Sequence, residues 1–314
     1  MSYTGGSIIV ASDYLIFRGD KAPNEAYLND SDATNKVAAL IGVGYGQRGY
    51  GQTSVSLPVP TSNTVVRAST WNNLRSTMSS INTHTGLNLG LQPALSVGSL
   101  IVANDGRPTY VSIPDIISAL DTGRFLIDSS QSSVTSVLTS TRTSAWTNSV
   151  THEFTATFGT EDLARYFFNA GGEIRLAASR TGGASTGPNT AITDLLNSSG
   201  TIRMGAISSS YTGTSGTVAS SIGYYGLTNN YQQLYTNTGT GPYANVSYTI
   251  TARRENYVGV NGANGNLIRM RAVISLAGYT TVSVSGTTTS SISSLRSVNA
   301  VTTSNPVYAT VISL

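Results

Sequence analysis

The sequence predicts an α+β fold: a short-helix N-terminal region over residues 1–145, then a mainly antiparallel, sandwich-like β-domain with two short helices over residues 146–314. Three observations carry this. Ser and Thr supply 86 of 314 residues and only 11% are charged, yet 39% are hydrophobic and 17 are tyrosines. Low charge with β-branched and aromatic residues fits packed strands better than a disordered chain. Helical spacing of apolar residues is confined to short segments, whereas alternation dominates the second half.

The elements follow in order. Residues 1–22 read as a strand, SIIVAS, and a turn at RGDKAP. In DATNKVAALIG, Val37, Leu40 and Ile41 give a short helix over 33–41, with Gly42 at its C-cap. GVGYGQRGYGQ, Gly42 to Gln52, then contains a formal G-x-G-x-x-G at Gly44, Gly46 and Gly49. A dinucleotide fingerprint needs a strand before the glycines, a helix after them, and an acid about twenty residues on. Here a helix precedes, Pro58 and Pro60 forbid a helix after, and RAST offers no acid. The stretch reads as a glycine-rich loop with Tyr45 and Tyr50 available for contacts.

ASTWNNLRSTMSSINTHTG puts Trp71, Leu74, Met78 and Ile81 on one helix face. Ser69 or Thr70 serves as cap, Gly86 as stop, and His84 lies in the last turn, where the helix dipole favours it. Residues 87–112 read as extended. SIPDIISALD gives a third helix, Pro114 in its first turn and Ile116, Ile117 and Leu120 inward. Residues 128–149 leave two readings open, a linker or a strand with Val134 and Leu138 inward.

Beyond the boundary at 145, SVTHEFTATFG alternates, so Val150, His152, Phe154, Ala156 and Phe158 share a face. His152 is thereby a core or interface histidine rather than a base. Thr160 caps the helix EDLARYFFN, with Leu163, Tyr166 and Phe167 inward, and Gly171-Gly172 stops it. EIRLAAS begins a strand on Ile174 and Leu176. PNTAITDLLNSSG is a further helix with Ile192, Leu195 and Leu196 inward. VSYTITAR, NLIRMRAVISL and YTTVSVS read as strands, with hairpin-type turns at Asn261-Gly262 and Asn264-Gly265.

The chain has no cysteine and two histidines, which excludes disulfides and thiolate metal sites. No G-x-S-x-G surrounds a serine, and His152-Glu153 lacks a second histidine four residues on. Glycoside hydrolysis needs only two carboxylates, but most acids here fit turns or helix starts. The expectation is therefore a non-enzyme with no catalytic, cofactor-binding or metal-ligating residues. No stretch approaches the ~20 apolar residues of a membrane span, and the N-terminus lacks a signal-peptide pattern. A soluble chain made in the cytoplasm is expected.

Residues 195–314 hold six arginines against one acid, Glu255, a net of +5, while residues 1–194 net −2. Spread without interleaved aromatic pairs, these arginines make a weak nucleic-acid footprint. The planar guanidinium suits protein interfaces, which makes Arg253, Arg254, Arg269 and Arg271 candidate interface residues. Assembly would also cover the edges of strands so poor in charge.

Two stretches carry a resemblance. EDLARYFFNAGGEIRLAASRTGG (Glu161–Gly183) resembles an ARYFFN-GG-IR-SASR-GG module of virion structural proteins from contractile-tailed bacteriophages, notably marine and cyanobacterial myoviruses. NKVAALIGVGYGQRGYGQTSVSLPVPTSNTVVRASTWNNLRSTMSSINTHTG is similar to the same family through its GYGQ … W-N-L … H-G pattern. Together they cover roughly residues 33–183. The resemblance implies a structural protein of neck, tail or baseplate, made in the host bacterial cytoplasm and located in the virion. Its partners would be other virion proteins and copies of itself. The alternative is a receptor- or carbohydrate-binding fibre or adhesin protein that meets a host surface glycan. Under this resemblance Gly42–Gln52 would present Tyr45, Arg48 and Tyr50 to a neighbouring subunit. Arg165, Arg175 and Arg180, with Tyr166 and Phe168, would serve packing within the module or an interface, and Phe167 the core.

Overall fold

Hydrocarbon periodicity builds a helical layer first. The computed structural model describes residues 11–19, 37–52, 57, 67–96, 99, 101, 111–185, 187–279 and 281–313. Helices α1 (Ala11–Arg18), α2 (Val37–Ile41), α3 (Ala68–Thr85) and α4 (Ile113–Thr122) share one buried cluster. Trp71, Leu74, Met78 and Ile81 form the buried face of α3, as their spacing requires. Gly86 ends that helix in the left-handed region at φ 69°. The expected Ser69 or Thr70 cap does not form: Arg67 holds the N-cap position without a side-chain bond. Nor do Ala11 and Ser12 belong to a strand. They open α1, whose Tyr14 and Phe17 stand edge-on to Trp71 at 5.2 and 6.2 Å. Three β-branched residues before Ala11 masked that i, i+3 pair. The rest of SIIVAS lies outside the described residues.

From residue 132 the chain is an antiparallel sandwich, giving an α+β, mainly-β fold. Its strands are β1 (Ser132–Arg142), β2 (Ser149–Thr157), β3 (Glu173–Thr181), β4 (Ile202–Met204), β5 (Ser209–Tyr211), β6 (Thr217–Val218), β7 (Gln232–Thr238), β8 (Val246–Glu255), β9 (Leu267–Leu276), β10 (Thr287–Ser297) and β11 (Val307–Ser313). One sheet runs β1-β10-β3-β4-β5 and the other β11-β2-β9-β8-β7-β6. Strict alternation on β8 and β9 buries Val246, Tyr248, Ile250, Ala252, Ile268, Met270, Ala272 and Ile274. They share a core with Ile174, Leu176, Ile202, Met204 and Ile292 of the other sheet. Helix α6 (Gly187–Ser199) lies against β3 of one sheet and β7 and β8 of the other, burying Ile192, Leu195 and Leu196 as expected. Helix α5 (Glu161–Asn169) buries Ala164, Phe167 and Phe168, while the expected inward Leu163 and Tyr166 are only half-buried.

Two strands changed the sequence reading. Of the two alternatives for residues 128–149, the strand is realised, as β1. It lies N-terminal to the boundary placed at 145, yet it pairs with β10. YTTVSVS does not form a named strand; Val284 makes one isolated bridge to Trp146. The strand is instead TTTSSISSLRS, β10. Its inward positions include Thr288, Ser290 and Ser294, all essentially buried, so no hydrocarbon alternation announces it. The hydroxyls are matched across the core: Trp146 Nε1 donates to Thr288 Oγ1 at 3.2 Å, and Ser290 Oγ bonds His152 Nδ1 at 2.7 Å.

The helical layer is not a separate body. Ala170, after α5, and Val301, after β10, belong to its core. Gly51 marks the tightest seam. It sits at φ +71°, and a Cβ there would fall within 2.3 Å of the Tyr166 ring of α5. Gly51→Ala is therefore expected to cost roughly 2 kcal/mol or more, through clash and strain together. Urea unfolding followed by circular dichroism checks this; an unchanged midpoint would refute the seam.

Candidate interaction surfaces

Helix α5 holds two loops of the molecule in place, residues 42–52 and the β8–β9 loop. Thr160 Oγ1 accepts from Leu163 N at 3.1 Å and starts the helix. Glu161, Arg165 and Asn169 then recur every four residues, which aligns them on one face. Arg165 is fully buried. Its guanidinium donates to the carbonyls of Val43 (2.5 Å) and Arg48 (2.6 Å) and to Asp162 Oδ1 (2.8 Å). Asn169 Nδ2 donates to the carbonyls of Gly46 (3.0 Å) and Gly49 (3.2 Å), and Tyr225 Oη donates to Gly46 O at 2.6 Å. The glycine loop thus turns its carbonyls inward onto a cation. A phosphate loop does the reverse, aiming N–H groups at an anion. The formal fingerprint is a clamp between the helical layer and the sandwich.

This corrects part of the expected presentation. Tyr50 faces inward: it is 1% exposed, packs edge-on against His84 at 5.1 Å, and donates to Arg124 O at 2.7 Å. Arg48 grips Asp121 through Nε and Nη2, at 2.8 and 3.0 Å, so it is a fastener of α4. Tyr45 alone of the three stands exposed among the loop's large residues, at 37%. Arg180, too, is internal, bonded to Asn189 and Thr193 of α6.

The four C-terminal candidate arginines separate into two places. Arg253, Arg269 and Arg271 line the outer face of the six-stranded sheet, where Arg253 pairs Arg269 and Glu153 pairs Arg271 in register. Glu153, 2% exposed, accepts from Arg271 at 2.7 Å and Arg269 at 3.2 Å. Glu255 takes Arg253 at 2.5 Å and Arg269 at 2.7 Å. Burial works to raise the Glu153 pKa, but the bonds from Arg271 and Arg269 outweigh it and hold it below the usual value. The basic bias of the C-terminal half is therefore answered partly by a carboxylate of the first half.

Arg254 belongs elsewhere, stacked 3.6 Å over the Tyr257 ring. Tyr257 begins an apolar tip on the β8–β9 loop, with Val258 80% and Val260 47% exposed. The tip is held rigidly. Glu161 accepts the amides of Val258 (2.7 Å), Gly259 (3.3 Å) and Val260 (2.9 Å), while Asp162 accepts Asn261 Nδ2 at 2.9 Å. Gly46 N donates to Asn261 O at 2.8 Å, which brings Tyr45 against Gly262 of the same loop. The sequence reading placed hairpin turns here and missed Tyr257, Val258 and Val260. Two exposed valines inside an Asn/Gly-rich turn were the available signal.

A second apolar surface lies on the terminal strands of the two sheets. Val134 and Val137 on β1 and Val307 and Val311 on β11 are 45–73% exposed. Expected inward, Val134 instead faces out, displaced with the bulge between Thr135 and Leu138.

Both histidines are buried and neutral. His84 bonds Ser297 Oγ at 3.2 Å, and burial lowers its pKa to about 4. His152 is lowered to about 4 as well, by burial and then by the charge of Arg142. The dipole reading of His84 fails for that reason: an uncharged ring gains little from a helix C-terminus.

No protein-family model, curated protein or solved structure matches this chain. Among the described residues no group of three or more His, Asp or Glu side chains converges to hold a metal ion. No helix among them is long and apolar enough to cross a membrane.

Proposed function

We propose that this chain is a non-enzymatic structural subunit that works through protein–protein assembly, of the kind found in the neck, tail or baseplate of contractile-tailed phage virions. The observation that carries the assembly reading is the fixed apolar tip. Tyr45, Tyr257 and Arg254 are of the residue types richest in interface energy, Val258 and Val260 add exposed apolar surface, and the backbone is already ordered before contact. The virion assignment rests on the sequence resemblance. Its two stretches meet in space, since Arg165 of the second clamps Val43 and Arg48 of the first.

The test is the native mass of the full-length protein by light scattering, beside the Val258→Asp variant. The wild type is expected to form a symmetric oligomer. One charge at the centre of the tip should weaken it by roughly 2 kcal/mol or more, about thirty-fold in affinity, with the far-UV circular dichroism of the fold unchanged. A monomeric wild type, or a variant of the same mass, would remove the tip as the assembly contact.

A further inference from the structure

A hollow beside α6 has a chemistry that neither the clamp nor the tip uses. Its volume is about 560 Å³, within the roughly 300–1,000 Å³ of small-molecule sites. One face of α6 forms a wall, with Thr190, Asp194 and Ser198 recurring every four residues. Thr238, Thr240 and Tyr243, from the end of β7 and the turn after it, form the opposite wall.

The hollow is built rather than accidental. Asn237, 6% exposed, donates through Nδ2 to Ser198 Oγ at 3.2 Å and Ser215 Oγ at 2.9 Å, and Ser215 bonds Ser198 at 3.0 Å. These bonds orient the hydroxyls at one end. At the other, Gly187 makes room for Tyr243, whose hydroxyl would lie 2.0 Å from a Cβ placed there. The Tyr243 ring leans on Tyr279 at 5.8 Å. Asp194 is exposed and makes no hydrogen bond or ion pair among the described residues.

We propose that this hollow binds a neutral sugar unit of a glycan. A pyranose offers adjacent hydroxyls that both donate and accept, and serine and threonine hydroxyls answer in both directions. A free carboxylate takes two such donors in charge-assisted bonds. A tyrosine gives an apolar face to the C–H side of the ring and a polar tip to its edge. Among the described residues the lining contains no arginine or lysine, and Asp194 is its carboxylate. Phosphates and acidic sugars are thereby disfavoured, and a hydrocarbon ligand would strand the hydroxyls. This inference stands apart from the assembly reading, since a monomer contains the whole hollow.

The experiment is saturation-transfer NMR on the full-length protein with maltose, lactose and N-acetylglucosamine, and with glucuronate as the anionic comparison. At least one neutral sugar is expected to receive transfer. Its affinity should fall roughly ten-fold or more in Asp194→Ala, with the loss of the carboxylate's charge-assisted bonds. Binding should vanish in Ala191→Trp, which fills the hollow, and both variants should melt with the wild type. Thr190→Ala serves as a second small deletion should Ala191→Trp misfold. The proposal is overturned by no transfer to any neutral sugar, by transfer that survives these substitutions, or by a preference for glucuronate.

Discussion

Arg165→Met should cost roughly 3 kcal/mol, the upper end of what hydrogen bonds from a charged group contribute, and it should loosen the helical layer before the sandwich unfolds. The side chain is fully buried, and it is the common donor to Val43 O, Arg48 O and Asp162. Methionine fills much of the volume but removes the donor that these half-buried acceptors share. Arg165→Lys should recover only part of the loss. A single ammonium cannot span acceptors that a planar fork reaches together. Urea unfolding by circular dichroism measures the cost, and limited proteolysis should show new cleavage within residues 42–52. Wild-type stability in Arg165→Met, with the loop still resistant, would mean that the clamp contributes nothing.

The second large effect is acid destabilisation set by the two histidines. Both are 0% exposed, and both have folded pKa values of about 4 against 6.5. In the window between those values the unfolded chain binds the proton and the folded chain does not. Stability is then full above pH 6.5, falls as the pH drops, and stops responding to these groups below about 4. Each histidine accounts for about 3 kcal/mol over the window. Glu153, held below its usual value despite its burial, chiefly by the bonds from Arg271, adds its own loss of stability only toward the acid end of this window. Urea midpoints measured from pH 7.5 to 4 should slope steeply between 6.5 and 4.5, and His152→Gln should roughly halve that slope. A flat profile down to pH 5 would show that the histidines are not buried as described.

The two effects act on one construction. His84 packs against Tyr50 at the end of the glycine loop and bonds Ser297 at the end of β10. Arg165 holds the middle of that loop. Acid and the Arg165 substitutions should therefore add less than independently, as neighbours in one network do.

What the sequence determined alone is local and hydrocarbon-based. The buried faces of α3, α4 and α6 and the alternation on β8 and β9 were legible because apolar side chains recur on them at the element's own period, even where a buried Thr77, His84 or Asn189 joins them. The rejection of a phosphate loop was legible too, from the elements on either side of Gly42–Gln52. What the tertiary structure decided is partnership. β10 was hidden because its inward residues are hydroxyls, and only His152, Trp146 and Asn305 across the core make them fit to bury. The arginines read alike along the chain, yet Arg165 is a buried clamp, Arg48 a fastener, Arg254 part of a tip and Arg271 one rung of a ladder. A guanidinium takes its role from acceptors that arrive from elsewhere; for Arg165 one of them lies 117 residues away. Periodicity is a property of a segment, whereas the satisfaction of a buried polar group belongs to the folded whole.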